Sequence, residues 1–295
     1  MRRLAVAVVL LVPSLSLAET FEIKLRKRGK GDFVAVTYEE KTSNSVTVSS
    51  PEGKVIDQQN QEVVEAARYK EEILEKEEGK KPTKLRRTYD KAALTIDGKE
   101  QPFEYSGKAV NIQRLTSGYV FGLDDGKPLV GKAAGTLLKE FGIQKSGAET
   151  IYAAVLPKKA VAVNDTWPID APAVLKEVAG ESAGQAFDLA KAKGTGKLTK
   201  AYKKDDKQFG VMEVELTAPL TALPGTAFKC RAGAMFSMKL TLDTCIDGTA
   251  EAGTLKGEVK FSGTADVAAT AKDGERVMKF EMLSVRTDTQ EPLKK

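Results

Sequence analysis

The strongest constraint on the fold is an alternation near the C-terminus. Leu255, Val259, Phe261, Ala265, Val267 and Ala269 fall on odd positions, and Lys256, Glu258, Lys260, Ser262, Thr264 and Asp266 on even ones. Successive side chains of a strand point to opposite faces, so a period of two describes a strand with one buried and one wetted face. Asp273-Gly274 supplies a dipeptide suited to a two-residue hairpin. Such a loop sets Ala269 opposite Met278, Val267 opposite Phe280 and Ala265 opposite Met282, all six on one face.

The same periodicity predicts strands elsewhere. Phe21, Ile23 and Leu25 alternate with charged residues, and a turn at Lys30-Gly31 pairs Leu25 with Val36 and Ile23 with Tyr38. Strands are predicted at 42–48 and at 94–97 before Gly98, with a further pair, 196–198 and 211–216, around 203–207. Residues 63–78 fit a helix through Val63, Ala66, Ala67, Ile73 and Leu74, or a strand before the turn-like Lys80-Lys81-Pro82; the strand is favoured. Helices are few. In 129–141, Val130, Ala133, Ala134, Leu137, Leu138 and Phe141 have helical spacing and Gly142 follows as a stop. A second helix spans 173–191, weakened by Gly180 and Gly184. The expected fold is α+β: a mostly antiparallel curved β-sheet, open to division into two half-barrel-like halves, with one or two central helices packed on it. A faint likeness between 84–91 and 197–204 (Lys-Leu, a base two further on, then Tyr and Lys) fits either an old duplication or chance.

The first eighteen residues have a separate character. Met1-Arg2-Arg3 is followed by an apolar run and by Ser16-Leu17-Ala18, the pattern of a secretory signal peptide cleaved after Ala18. The mature chain, 19–295, is then expected to be a single β-rich domain, divisible into strands (19–128), a helical middle (129–192) and strands (193–295). With no cysteine at the cleavage site it is not a lipoprotein, and its expected place is periplasmic or extracellular. No later apolar run approaches membrane-spanning length, so no transmembrane segment is expected in the mature chain. Loss of Arg2 and Arg3 lowers the formal charge from +5 to +3. Acidic and basic residues are interspersed, which argues against nucleic acid as a partner.

The chain contains no histidine. That excludes histidine-assisted serine or cysteine catalysis and ordinary zinc hydrolase sites. No cofactor and no metal is expected, and the chain is read as not an enzyme. Cys230 and Cys245 either pair in an oxidising compartment, closing a loop for roughly 3 kcal/mol, or remain two buried thiols.

Several motifs fail on context. Gly180-Glu181-Ser182-Ala183-Gly184 has the letters of a nucleophile elbow, but a helix-like segment precedes it and no histidine follows. Gly194-Thr195-Gly196-Lys197 lacks phosphate-loop spacing and reads as a turn entering a strand. Asp124-Asp125-Gly126 and the 243–248 segment are acidic turns short of a calcium loop's ligands. The adjacent pairs Glu39-Glu40, Glu71-Glu72 and Glu77-Glu78 are read as solvated surface, with a two-carboxylate hydrolase site as the functional alternative.

The most distinctive segment is Pro157-Lys158-Lys159-Ala160-Val161-Ala162-Val163-Asn164-Asp165-Thr166-Trp167. It resembles a Pro-x-Lys-x-Val-x-Val-Gly-Asp-x-Trp segment of uncharacterised exported bacterial β-rich proteins, a domain family of unknown function. Asn164 replaces the family's glycine, and Asn also enters left-handed turn conformations. The resemblance implies an envelope-associated β-sheet protein and supplies no catalytic residues. Trp167 either anchors the turn against the core or stands exposed as a ligand-binding platform.

The functional expectation is a non-catalytic envelope binding or scaffold protein, with a hydrophobic or lipid-like small molecule or an envelope component as its partner. The alternatives are a carboxylate-dependent periplasmic hydrolase and a purely structural cell-surface protein. An outer-membrane barrel is disfavoured by the charged strand faces.

Overall fold

A computed structural model describes residues 19–78, 80–116, 118–143, 148–267 and 275–294, without the side chains of 139, 142, 143, 148–150 and 181. The signal-like segment 1–18 and the Asp273-Gly274 turn lie outside the described residues.

The strands are β1 (Thr20–Phe21), β2 (Phe33–Ser49), β3 (Val55–Glu75), β4 (Lys84–Ile96), β5 (Lys99–Pro102), β6 (Ala109–Leu115) and β7 (Gly118–Leu123). Helices α1 (Gly131–Ile143) and α2 (Ala148–Val155) follow, then β8 (Val161–Ala162), β9 (Thr166–Pro168), α3 (Ala171–Ala179) and α4 (Ala183–Ala186). The chain continues with β10 (Lys193–Lys204), β11 (Lys207–Pro219), β12 (Lys229–Cys230), β13 (Met235–Cys245), β14 (Gly253–Val267) and β15 (Arg276–Pro292). Thirteen strands form one curved antiparallel sheet in the order β7-β6-β4-β3-β2-β15-β14-β13-β11-β10-β9, with β5 on β4 and β12 on β14. β7 and β9 do not meet, so the sheet is open, and its two halves join where β15 lies along β2. β1 and β8 form a separate ribbon.

Alternation decides which face is buried. In β2, Val34, Val36 and Tyr38 point inward to one core, and Val46 and Val48 to another. The first core lies under α1, with Leu129, Ala133 and Leu137 packed on Tyr69, Tyr89, Val110 and Ile112. The second lies under α2, α3 and α4, where Val155, Val174, Leu175 and Ala186 meet Leu198, Met212, Leu216 and Phe236. The outer face carries charge instead. Lys239 with Glu215 (3.1 Å), Lys260 with Glu281 (2.9 Å), Lys41 with Glu62 (2.7 Å) and Arg68 with Asp90 (3.2 Å) form cross-strand ion pairs there. A barrel spanning a membrane presents apolar side chains outward, the reverse of this arrangement. No helix of the described residues is long and apolar enough to cross a membrane.

Most expected elements are present. The 63–78 segment is strand as far as Glu75, the 196–198 and 211–216 strands pair, and the 94–97 strand turns at Asp97-Gly98, both with positive φ. Three expectations need correction. First, the C-terminal hairpin sets Ala265 against Met278, not Met282. The observed register is slipped by four residues from the expected one, and a slip by an even number keeps the same side chains inward. Second, the N-terminal segment does not fold back on β2. Both edges of β2 are taken, by β3 and β15, so no ladder position is left for Ile23 or Leu25. Phe21 pairs with Val161, Lys24 runs beside Asp247, and Ile23 is buried in the second core. Third, the 173–191 helix is broken. Asp170 caps α3 by accepting a hydrogen bond from Ala173 N–H (3.0 Å), and Gly180 at φ 59° ends it. Helix α2 is not among the predicted elements.

Candidate functional site

The Trp167 segment resolves first. Asn164 sits at φ 75°, as its place in the turn requires. Trp167 is buried, its indole N–H donating to the Val155 carbonyl (2.7 Å). A Cβ on Gly196, opposite Trp167 in the β9–β10 ladder, would come within 2.3 Å of the indole ring. Trp167 is therefore a core anchor tying the sheet edge to α2, and the exposed-platform reading is withdrawn. Gly194-Thr195-Gly196-Lys197 lies within strand β10, and its glycines make room for Ile169 and Trp167. Ser182 donates its hydroxyl to the Ala179 carbonyl (2.7 Å) in a 3₁₀ turn and heads no strand-to-helix elbow.

The cysteines do not pair. Cys230 lies beside Ala265 in β14, whereas Cys245 ends β13 at the β14 start, its N–H donating to Ala252 O. Thirteen residues of strand separate those positions, on the order of 40 Å, and a disulfide needs Cα atoms within about 7 Å. Both thiols are free. Cys245 is buried, its sulfur 3.0 Å from Asp247 Oδ1.

Between the two cores the inner face changes character. Row by row across β3, β2 and β15, the cross-strand neighbours are Ala67, Tyr38 and Asp288; then Glu65, Glu40 and Arg286; then Val63, Thr42 and Ser284. Tyr38 donates to Glu65, and Ser284 donates to Glu40 (2.6 Å). The Arg286 guanidinium donates to both oxygens of Asp288 (2.7 and 2.9 Å), lies 3.6 Å from Glu40 and stacks over the Tyr38 ring. Burial raises the Glu65 carboxyl above its usual range, against the Tyr38 hydrogen bond, and Glu40 adds to the rise. Solvent reaches this patch: the Glu40 and Arg286 side chains are 36% and 41% exposed.

Towards the first core the charges sink deeper. Arg87, in β4, is 6% exposed; its Nε donates to Glu71 (2.5 Å) and its two Nη atoms to both oxygens of Glu140 on α1 (2.7 and 2.8 Å). The guanidinium lies 4.3 Å from the Tyr69 ring centre and 4.7 Å from that of Phe141. Arg28 donates to the other oxygen of Glu71 and lies 2.9 Å from Glu251 in the loop before β14. Burial would raise the Glu71 carboxyl, but Arg87 and Arg28 overcome it and hold it at about 2. Glu251 is pushed up to about 7, burial outweighing Arg28, with Glu71 adding to the rise.

Sequence reasoning placed Glu71 and Glu40 among solvated pairs; both face inward and are bonded. The missed signal is parity, because both share a face of their strand with Tyr69 and Tyr38. Glu77 is instead exposed and paired with Lys80. In chemistry, the seam offers hydrogen-bond acceptors and one arginine at its open side, Arg286, with carboxylates in excess. Among the described residues no group of three acidic or cysteine side chains could hold a metal ion. Buried apolar side chains make up both cores. A polar groove of about 410 Å³ lies over β2, β3 and β15 at Ser43, Asn60, Glu62 and Glu281, and a cleft of about 220 Å³ lies beside α1 at Leu94, Phe103, Val130 and Ala133.

No family model and no curated protein matches the chain. Solved structures similar to it include the outer membrane protein OprG of Pseudomonas aeruginosa, at 6% identity and a TM-score of 0.19, covering 91% of this chain and 99% of that one. An outer membrane channel of Pseudomonas putida F1 follows at 10% identity, TM-score 0.15, covering 90% and 97%. The P. putida toluene transporter TodX follows at 8% identity, TM-score 0.16, covering 91% of each. At such TM-scores no argument rests on these likenesses.

Proposed function

We propose that the chain is an exported, non-catalytic binding protein of the bacterial envelope, and that it holds an amphipathic, lipid-like molecule on the inner face of its sheet. The observation that carries this reading is the seam between the cores. There, half-exposed Glu40, Glu65, Thr42, Ser284 and Arg286 lie beside half-buried Val63, Leu94, Val259 and Met282 on one continuous face. An apolar chain would cover the aliphatic side chains, and a polar head would meet Arg286 and the carboxylates. The ligand would then lie on this open face of the sheet. The signal-like start and the resemblance at 157–167 support export.

A second reading, a carboxylate-dependent hydrolase, has one observation in its favour. Glu40 and Glu65 are cross-strand neighbours in unlike surroundings, as an acid and a base would need. They stand side by side on one sheet face, whereas glycoside hydrolysis needs carboxylates flanking the substrate.

The test is extraction and mass spectrometry of protein expressed from its full-length sequence and purified without detergent, together with titration of a fluorescent fatty acid. A co-purified amphiphile and saturable binding, abolished by Val63→Glu with Leu94→Glu, are expected. Clean extracts with no saturable binding would remove the proposal.

A further inference from the structure

We propose that the head of the molecule held on the inner face carries positive charge, an alkylammonium rather than a carboxylate or phosphate, and that Glu65 and Glu40 are its counter-ions. This rests on the binding reading above and names the class of ligand. Across the inner face, Leu94, Glu65, Glu40, Arg286, Gly257 and Leu240 are successive cross-strand neighbours in β4, β3, β2, β15, β14 and β13. The row is charged in its middle and apolar at both ends. In the seam as a whole Glu65, Glu40 and Asp288 stand against Arg286, an excess of carboxylate.

The arginines near this row are already committed. Arg286 gives Nε and Nη2 to the two oxygens of Asp288, keeps Nη1 3.6 Å from Glu40, and lies 5.0 Å from the Tyr38 ring centre. Arg87 is held by Glu71 and Glu140, and Arg28 by Glu71 and Glu251. An anionic head would have to strip Asp288 from Arg286 or sit against Glu40 and Glu65. The first leaves a carboxylate without its partner, and the second brings like charges together.

The carboxylates are the receptive half. Glu40 accepts from Ser284 (2.6 Å) and lies beside Arg286. Glu65 accepts from the Tyr38 hydroxyl, and Glu40 stands between it and Arg286, the guanidinium of its row. Burial raises the Glu65 carboxyl, and Glu40 and Glu140 add to the rise. An ammonium seated at Glu65 would offset those two like charges and complete the row as alternating signs. From there an alkyl chain runs over half-buried Leu94 and Val63, the side chains next to Glu65 across the ladder and along β3. Charge and apolar surface thus select one occupant, an amphiphile with a cationic head.

Calorimetric titration of protein expressed from its full-length sequence tests the proposal, with dodecylammonium, dodecanoate and uncharged dodecyl maltoside, each below its micelle concentration. Dodecylammonium should bind about tenfold more tightly than dodecanoate, by a margin that shrinks with added salt. The readout is the ratio of those two affinities, which a variant that weakens every ligand alike does not move. Glu40→Gln with Glu65→Gln should bring the ratio to about one, and Arg286→Gln, which removes the opposing charge, should raise it. Equal affinity for the two charged heads, tighter binding of dodecanoate, a double variant that keeps the native ratio, or an Arg286→Gln variant that lowers it overturns the proposal. In each of those cases saturable binding leaves the wider binding reading standing. Binding of none of the three amphiphiles removes both.

Discussion

Replacing Arg87 with methionine isolates the energetics of the buried seam. Methionine keeps most of the apolar stem and removes the guanidinium. Arg87 then no longer neutralises Glu71, which is 7% exposed and keeps only Arg28 as a cationic partner, and the clamp on Glu140 of α1 is lost. Removing one partner of a buried ion pair costs about 3–5 kcal/mol, because the other charge stays buried. The Glu71 carboxyl gives a consistent figure. Holding it at about 2, down from 4.5, corresponds to on the order of 3 kcal/mol. A domain has roughly 5–15 kcal/mol in total, so the variant should remain folded but be visibly weakened. The sign follows from the direction of the shift. A carboxylate with a depressed folded value contributes fully above its unfolded value and loses that contribution as pH falls through the folded one. The gap between native chain and variant should therefore be largest near pH 7 and narrow as pH falls from about 4.5 towards 2. Urea unfolding followed by circular dichroism measures it. The double variant Arg87→Met with Glu71→Gln should recover about 2 kcal/mol, since the orphaned charge is gone. A gap under about 1 kcal/mol at pH 7, or a double variant no more stable than Arg87→Met, would refute the reasoning.

Trp167→Phe should cost about 1–3 kcal/mol by leaving the buried Val155 carbonyl unpaired; an unchanged urea midpoint would contradict the anchoring role. Alkylation under denaturing, non-reducing conditions should count two free thiols per chain, and a protected Cys230–Cys245 pair would contradict the strand positions given above. Glu251, raised to about 7, favours the folded state below its unfolded value near 4.5 and loses that contribution as pH rises through 7. The native chain should therefore lose stability between about pH 5 and 7.5 relative to Glu251→Gln, and parallel pH profiles would show that Glu251 does not titrate there.

Period two was legible wherever one face is apolar and the other charged, as in β14 and β15, because burial writes itself directly into residue type. It located strands and faces but not register. Ala265 meets Met278 in a register that the apolar pattern does not distinguish from one slipped by an even number of residues. Long-range competition for edges was invisible. Nothing local to Ile23 says that β15, more than two hundred residues later, occupies the edge of β2 that it would need. The seam was hidden for a related reason. Glu71 and Glu40 look like surface charges until their strand's parity is tied to that of Tyr69 and Tyr38, and Arg28 and Glu251 join them only through the tertiary fold. Trp167 was recognisable as special, and the glycine facing it, Gly196, is what makes it an anchor.

The seam also bears on how two separate cores behave as one sheet. Each core has its own helices, and β2, the strand common to both, carries with β15 beside it the charged row where the cores part. Arg87 and Glu140 fix α1 to β4, while Arg28 and Glu71 tie the N-terminal crossing segment to β3. Glu251 brings in the loop before β14, from the other half of the chain. A buried ionic network is weak evidence for stability, since well-packed apolar residues of similar size often serve as well. Its geometry, in contrast, is restrictive, because each guanidinium satisfies carboxylates from different segments only at one relative placement. Sliding of α1 or the N-terminal segment over the sheet would break these pairs, whereas an apolar seam would carry no such restriction. A ligand seated at Glu40, Glu65 and Arg286 would adjoin the same network, so its binding should stabilise both cores together. A single unfolding transition that moves as a whole on ligand addition is the expected signature, and two transitions of which only one moves would show that the seam does not couple the halves.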